Sequence, residues 1–205
     1  MYGLPSSTEM RRSLLKKTIY SRFELRAAQR DRFDADISRI DIVAEVSPAT
    51  VPALTEGERV KKFYLLDIQL KHRECQAKNL ELLVRLIPQN LIFALSFDGE
   101  VRLALFCSRM IFSTWQPAGS VCIPLRGLNL DAVWDEIVAS IGAVTPTEGR
   151  SVAEQIVQED RRAKLLHQIE VLERKARSER QPRRKTELFE ELKELKHQYK
   201  ITILK

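Results

Sequence analysis

The sequence is poor in glycine and lacks the loops by which several common enzyme classes are recognised. Only seven glycines occur among its 205 residues. None of them forms a P-loop or the glycine-rich turn of a dinucleotide-binding domain. A Gly-x-Ser-x-Gly nucleophile elbow is absent as well. These absences argue against P-loop nucleotide hydrolases, dinucleotide-dependent enzymes and α/β-hydrolases.

Cysteine and histidine are also scarce. The three cysteines, Cys75, Cys107 and Cys122, are odd in number and show no Cys-x-x-Cys spacing. This pattern favours a reducing cytoplasm over a disulfide framework. His72 and Cys75 form one His-x-x-Cys pair, but a structural zinc site needs about four ligands and no second pair follows. We therefore predict no bound metal and no cofactor.

Long apolar runs are missing too. No run approaches the ~18 residues that span a bilayer, and the first nine residues lack the basic-then-apolar layout of a signal peptide. Hydrophobic residues nevertheless make up 44% of the chain, which is enough to form a core. We predict a cytoplasmic protein without membrane association.

Positive charge is present but unevenly distributed. The net charge is +6, yet the segment from Phe33 to Glu173 is acidic, with 15 basic and 20 acidic residues. The basic excess lies in two segments, Arg11–Arg32 and Arg174–Lys185, each with a local charge of +6. Localised charge of this kind is typical of a site for a polyanion or an acidic partner.

Hydrophobic periodicity predicts a mixed α/β body. A capping box at Ser6–Glu9 predicts a first helix through Leu14 and Leu15, and a second helix is expected at about 24–37. Alternating residues and turn signals then predict strands at 40–45, 61–71, 92–97, 101–106, 110–115 and 121–124, with helices near 77–86 and 133–141. The class is α+β, with a mostly antiparallel central sheet of about five strands.

The C-terminal part is predicted to form a charged helical arm. We predict a body at residues 1–143, a linker at 144–151 and an arm at 152–205 that bends near 181–182. Apolar residues recur at coiled-coil spacing on both sides of Pro182, but each seam lasts less than two heptads. Such short seams require a partner, so the arm packs on itself, on the body or on another chain. A homodimer through this seam is one alternative.

One strand carries a pattern that suggests metal-dependent chemistry. Asp67, Gln69 and Lys71 alternate along a predicted strand and so share one face. An acidic residue, an acidic residue or glutamine, and then lysine can hold Mg²⁺ and stabilise a phosphate. Asp41 or Glu45 of the preceding strand could add a ligand. Nucleases of this type place the lysine on a third strand, however, and only two strands are predicted before it. A solvated strand end is the alternative interpretation.

The densest basic cluster lies at the bend of the arm. We call it the basic bend, and its members are Arg174, Lys175, Arg177, Arg180, Arg183, Arg184 and Lys185. Glu173 and Glu179 cannot neutralise it, and its last three members fall at a helix start, where the dipole disfavours cations. Nucleic-acid phosphates or an acidic protein surface would explain this placement. Because no aromatic residues are interleaved, any contact with DNA would be independent of sequence.

Several short segments together resemble a known bacterial family. They are Leu4–Glu9, Val46–Thr50, Asp67–Lys71, Ile87–Pro88 with Leu91–Leu95, Ser113–Trp115, Gly127–Asp131 and Arg177–Leu188. This set is similar to the uncharacterised domain-of-unknown-function family 4391. Where that family carries Glu-x-Lys, this chain has Gln69-x-Lys71. The resemblance implies an accessory subunit in a DNA-directed, restriction-like phage-defence assembly with a helicase or methyltransferase partner.

Our leading hypothesis is therefore a non-catalytic accessory protein that contacts a protein partner, DNA or both through the basic bend. The alternative is a Mg²⁺-dependent nuclease that uses Asp67, Gln69 and Lys71 with Glu45 or Asp41. The sequence does not fix the oligomeric state.

Overall fold

The chain divides into two units. The computed structural model describes residues 1–142, 152–179 and 181–204. Contacts group the chain into Met1–Val152 and Ala153–Lys205. The predicted linker at 144–151 lies outside the described residues, and so does Arg180 of the basic bend.

The first unit is built on one mixed β-sheet. Its strands are β1 (Glu9–Ser13), β2 (Ile37–Val46), β3 (Phe63–Leu70), β4 (Asn90–Phe97), β5 (Glu100–Cys107), β6 (Arg109–Phe112) and β7 (Gln116–Pro117). The order across the described sheet is β1-β2-β3-β4-β5-β6, and β7 pairs with the start of β5. Strands β3 and β4 are parallel and the other neighbours are antiparallel. The predicted α+β class is confirmed, with seven strands described instead of about five.

Four α-helices are described in this unit. They are α1 (Lys16–Phe23), α2 (Ala27–Asp36), α3 (Ala77–Leu86) and α4 (Leu130–Gly142). Helix α3 provides the crossover that two parallel strands require. Apolar residues of α1, α2 and α3 form one core cluster with the sheet face that carries Leu66 and Ile68. Trp134 of α4 packs on Phe63, 5.6 Å between ring centroids, and so covers part of the opposite face.

The predicted N-terminal helix is wrong. Ser6–Thr8 forms a single 3₁₀ turn, and the next residues form β1. Arg12 lies opposite Ile42 and Ser13 opposite Asp41 on β2. Pairing with a long neighbouring strand satisfies the backbone groups of this segment, so tertiary structure overrides the local capping signal. The strand predicted at 121–124 is also not formed.

The second unit contains two packed helices, α5 (Val152–Ser178) and α6 (Pro182–Leu204). Ile169 and Leu172 of α5 form a buried cluster with Leu192 of α6. Leu188, Leu195 and Tyr199 pack around it. The predicted seam is thus used within the chain. Among the described residues, no helix is long and apolar enough to cross a membrane.

Candidate functional site

The basic bend lies where α5 ends and α6 begins. Helix α5 ends at Ser178 and α6 begins at Pro182. Five of the six described members are exposed and Lys185 is partly buried. A proline suits the first turn of a helix because its missing N–H has no intrahelical acceptor there. The cluster therefore spans the junction of the two helices.

Acidic neighbours only loosely pair with these cations. Arg177 lies 3.7 Å from Glu173, Arg183 lies 3.5 Å from Glu187, and Arg184 lies 3.8 Å from Glu179. The side chains of the three arginines remain 81%, 95% and 69% exposed. Exposed pairs of this kind contribute little to stability, because water screens the charges and ordering the side chains costs entropy. Within the described part of the arm, Arg174, Lys175 and Lys185 have no carboxylate within 4.0 Å.

The start of α6 places cations against the helix dipole. Arg183, Arg184 and Lys185 occupy its first turn, which holds no acidic residue. The partial positive charge at a helix N-terminus repels cations within that turn. Lys175 and Arg177, by contrast, lie in the last turn of α5, where cations are favoured. An external anion at the start of α6 would relieve the repulsion.

Glu173 joins the two helices beside the basic bend. Its carboxylate lies 2.7 Å from Lys196 Nζ on α6. This hydrogen bond and the charge of Lys196 lower the pKa of Glu173. Because Glu173 is engaged by Lys196, it neutralises Arg177 only in part. This pair links α5 to α6 beside the basic bend.

The strand motif brings two carboxylates together. Asp67 on β3 lies directly opposite Asp41 on β2. Asp67 accepts hydrogen bonds from Tyr2 at 3.4 Å and Ser96 at 3.3 Å. Burial raises the pKa of Asp67, and the charge of Asp41 adds to this rise. The two strands therefore hold a pair of facing acids at half-buried positions.

The other residues of the motif are placed differently. Gln69 is exposed and lies opposite Arg39. Lys71 follows the last residue of β3, and its positive charge acts on Asp34, where it helps to lower the pKa of that carboxyl. Glu45 lies opposite Tyr64, because an irregularity between Ile42 and Ala44 shifts the alternation of β2. Glu45 is therefore on the other face of the sheet from Asp67.

Three consecutive strands precede Lys71, one more than the sequence predicts. Strands β1, β2 and β3 form an antiparallel meander, and the parallel strand β4 follows α3. The additional strand is β1, in the segment predicted as a helix. Among the described residues, however, no group of three His, Cys, Asp or Glu side chains is arranged to hold a metal ion.

Sequence reasoning missed the arginines around the acidic pair. A cavity of about 440 Å³ is lined by Asp41, Asp67, Met1, Arg11, Arg12, Ser13, Arg39 and Val43. Arg39 Nε lies 2.6 Å from Asp41 Oδ2. Its charge also lowers the pKa of Asp67, although less than burial raises it. The +6 charge of Arg11–Arg32 indicated a basic site, but the helix predicted through Leu14 and Leu15 did not place Arg11 and Arg12 beside Asp41 and Asp67.

Comparison with known proteins gives one informative match. No curated protein and no solved structure matches the chain significantly. The family described as a domain of unknown function, DUF4391, matches residues 2–198, which is nearly the whole sequence. The resemblance seen in the short segments is confirmed, and the chain belongs to the DUF4391 family.

Proposed function

We propose that the chain is a non-catalytic accessory subunit of a DNA-directed bacterial assembly and that its basic bend binds the phosphate backbone of nucleic acid. The observation that carries the proposal is the cation cluster in the first turn of α6, where Arg183 and Arg184 are exposed and Lys185 is partly buried. A helicase or methyltransferase is the kind of protein partner that such an assembly would contain.

Nucleic-acid phosphate is favoured over an acidic protein surface by the distribution of the cations. The described members occupy the end of one helix and the start of the next, with guanidinium groups that remain largely exposed. Guanidinium groups bind phosphate oxygens through paired hydrogen bonds. Without interleaved aromatic residues, the contact would read the backbone and not the bases.

The test is a salt titration of duplex DNA binding. We expect affinity to fall steeply with salt and the triple variant Arg183→Glu, Arg184→Glu, Lys185→Glu to bind much more weakly. If each side chain neutralises one phosphate, the slope of log K against log salt becomes shallower by about 3.

The matched control reverses three exposed cations of the first unit that lie outside both basic segments: Lys78→Glu, Arg109→Glu and Arg126→Glu. It changes the net charge by the same amount but leaves the basic bend intact. Equal weakening by the two triple variants would show a general charge effect and contradict the proposal. Undetectable binding at low salt together with capture of an acidic protein would assign the bend to a protein partner.

A Mg²⁺-dependent nuclease is a second candidate function. It is favoured by the facing Asp41 and Asp67 and by the three-stranded meander before Lys71. The arginines of the adjoining cavity could bind the phosphates of a substrate strand. In this hypothesis the two carboxylates hold Mg²⁺, which would polarise a phosphate and supply an activated water. Gln69 would be a weak third ligand.

Glu45 provides a matched control for the nuclease hypothesis. It lies one strand away from Asp67 but on the opposite face of the sheet. We expect Mg²⁺-dependent cleavage of duplex DNA to be lost in Asp67→Asn and retained in Glu45→Gln. Cleavage that survives Asp67→Asn, or that falls equally in Glu45→Gln, would contradict this hypothesis.

A further inference from the structure

Helix α6 carries an exposed aromatic side chain just beyond the basic bend. Phe189 is 48% exposed, whereas the nearby Leu192 is buried against α5. A single exposed phenylalanine would need no explanation by itself. Phe189, however, lines an open cavity of about 520 Å³, and the other residues around this cavity are Leu192, Lys193, Lys196, His197 and Lys200. The phenyl ring therefore borders a space whose polar walls are lysine and histidine side chains.

The lysines of this cavity follow one face of α6. Side chains three or four residues apart are neighbours on a helix. From Lys185 of the basic bend, this spacing leads through Phe189 to three cations that we call the lysine stripe: Lys193, Lys196 and Lys200. The acidic residues recur at the same spacing on another face of the helix: Glu187, Glu190, Glu191 and Glu194. Among the described residues, the walls of the cavity include no carboxylate.

The charges of the lysine stripe are accessible to an anion. Lys193 and Lys200 are exposed, and in the described part of the arm neither has a carboxylate within 4.0 Å. Lys196 is engaged in part, because its Nζ lies 2.7 Å from Glu173, but its side chain remains 49% exposed. The cavity beside Phe189 is therefore positively charged and open to solvent.

An apolar protein segment would fit this face poorly. Helix pairing requires apolar residues that repeat at spacings of three and four, but the next positions on the face of Phe189 are Lys193 and Lys196. Nucleic acid matches both features, because its phosphates attract lysines and an unpaired base can stack on an aromatic ring. In a duplex the bases are held within the stack and their faces are covered. Only a single strand therefore offers phosphates and base faces together.

We propose that Phe189 and the lysine stripe bind single-stranded nucleic acid, with one base stacked on Phe189 and the adjoining phosphates on Lys193 and Lys200. The inference extends the proposed function from the phosphate backbone to an unpaired strand, and it rests on that function for the class of ligand. Stacking on a phenyl ring accepts every base. The site therefore selects an unpaired strand and does not select a sequence.

The test compares oligo(dT) with an abasic strand of the same length, which keeps the phosphates but has no bases. In anisotropy titrations at one salt concentration, the full-length wild type should bind oligo(dT) at least about tenfold more tightly than the abasic strand. Phe189→Ala should bind the two strands equally. Phe189→Leu keeps a large apolar side chain and should behave like Phe189→Ala, whereas Phe189→Trp should behave like wild type because an indole also stacks. An oligo(U) RNA of the same length distinguishes RNA from DNA, and dependence on Phe189 with either strand supports the site.

Matched controls lie in the first unit. Phe106 of β5 is 39% exposed, and Phe106→Ala should bind oligo(dT) as wild type does. The double variant Lys193→Gln, Lys200→Gln should make the slope of log K against log salt for oligo(dT) shallower by about 1.4, as expected for two phosphates of a single strand. The double variant Lys78→Gln, Arg126→Gln removes two exposed cations of the first unit and should leave that slope unchanged.

The triple glutamate variant of the basic bend separates this site from the proposed function. If that variant loses duplex binding but wild type binds oligo(dT) and the abasic strand equally, the proposed function stands and the site at Phe189 is wrong. If Phe189→Ala weakens oligo(dT) binding while the triple variant binds duplex as wild type does, the site stands and the role of the basic bend is wrong. Binding of oligo(dT) that is unchanged in Phe189→Leu, or that falls equally in Phe106→Ala, would also overturn the site.

Discussion

Asp67 lies opposite Asp41 in the centre of the sheet, yet Arg39 makes its 2.6 Å ion pair with Asp41 alone. Asp67 is left with the hydroxyl groups of Tyr2 and Ser96 as its hydrogen-bond donors. Burial and the like charge raise its pKa, so the ionised form is less stable in the folded chain than in the unfolded chain. A cation placed beside Asp67 would therefore stabilise its ionised form.

Asp67→Asn should therefore stabilise the protein at neutral pH. A carboxyl whose folded pKa is raised costs stability above that pKa, and the cost vanishes as the pH falls below the unfolded value of ~3.9. The gain should be about 1 kcal/mol or less at pH 7, after allowing for solvent screening, and close to zero near pH 3.5. Urea unfolding at both pH values measures it. A loss of stability at pH 7 would show that the negative charge is used within the fold.

Asp131→Asn should destabilise the protein, with the opposite pH dependence. The Asp131 carboxylate accepts hydrogen bonds from the backbone amides of Glu58 at 2.8 Å and Val60 at 2.8 Å, and the Arg59 amide also contributes. Although burial opposes it, this set of donors lowers the pKa of Asp131. We expect a cost of about 1 kcal/mol at pH 7, at the low end because the site is open to solvent.

The contribution of Asp131 is present above the unfolded pKa of ~3.9 and is lost as the pH falls through the lower folded pKa. The difference between wild type and Asp131→Asn should thus shrink as the pH falls below the unfolded value. Asp98→Asn is the matched control, because Asp98 has a positive φ of 47° in a hairpin turn where asparagine is equally suitable. Equal destabilisation by the two variants would contradict the role of Asp131.

The predicted elements that hold in the structure are those with strong local signals. Helix α3 begins at Ala77 and ends at Leu86, as its apolar spacing and Pro88 predict. The hairpin between β4 and β5 follows from Asp98 and Gly99, which both adopt positive φ. In these segments local preference and tertiary packing favour the same structure, so the sequence alone is sufficient.

The features that escaped prediction depend on contacts between distant segments. Strand β1 forms because it pairs with the edge of β2. Glu45 lies on the opposite face of the sheet from Asp41 because of an irregularity near Val43. A one-residue shift in a strand reverses the side of every later side chain. Arg73, Arg102 and Trp115 likewise come together from three segments, and no spacing in the sequence signals that contact.

Asn79→Ala should destabilise the first unit by about 1–3 kcal/mol, because a buried acceptor loses a donor. Asn79 Nδ2 lies 2.7 Å from Asp36 Oδ2, and both residues are 5% exposed. The bond ties the start of α3 to the end of α2. The exchanged pair Asp36→Asn with Asn79→Asp keeps one donor and one acceptor and should recover part of the loss. Chemical denaturation of the wild type, Asn79→Ala and the exchanged double variant measures the free energy of unfolding of each protein. If the exchanged variant recovers none of the loss, the position of the negative charge matters more than the hydrogen bond.

Leu192→Ala should loosen α5 and α6 without unfolding the first unit. Leu192 is 6% exposed and packs with Ile169 and Leu172, so truncation removes the centre of a small cluster. Burial of this kind is worth about 2–4 kcal/mol for leucine. Hydrogen exchange should therefore accelerate at least tenfold in both helices, while β3 and β4 keep their protection.

Leu166→Ala is the matched control, because Leu166 is 41% exposed and its truncation should change exchange little. If Leu192→Ala leaves exchange in α5 unchanged, the two helices are not stabilised by each other, and an external partner must hold the basic bend in place.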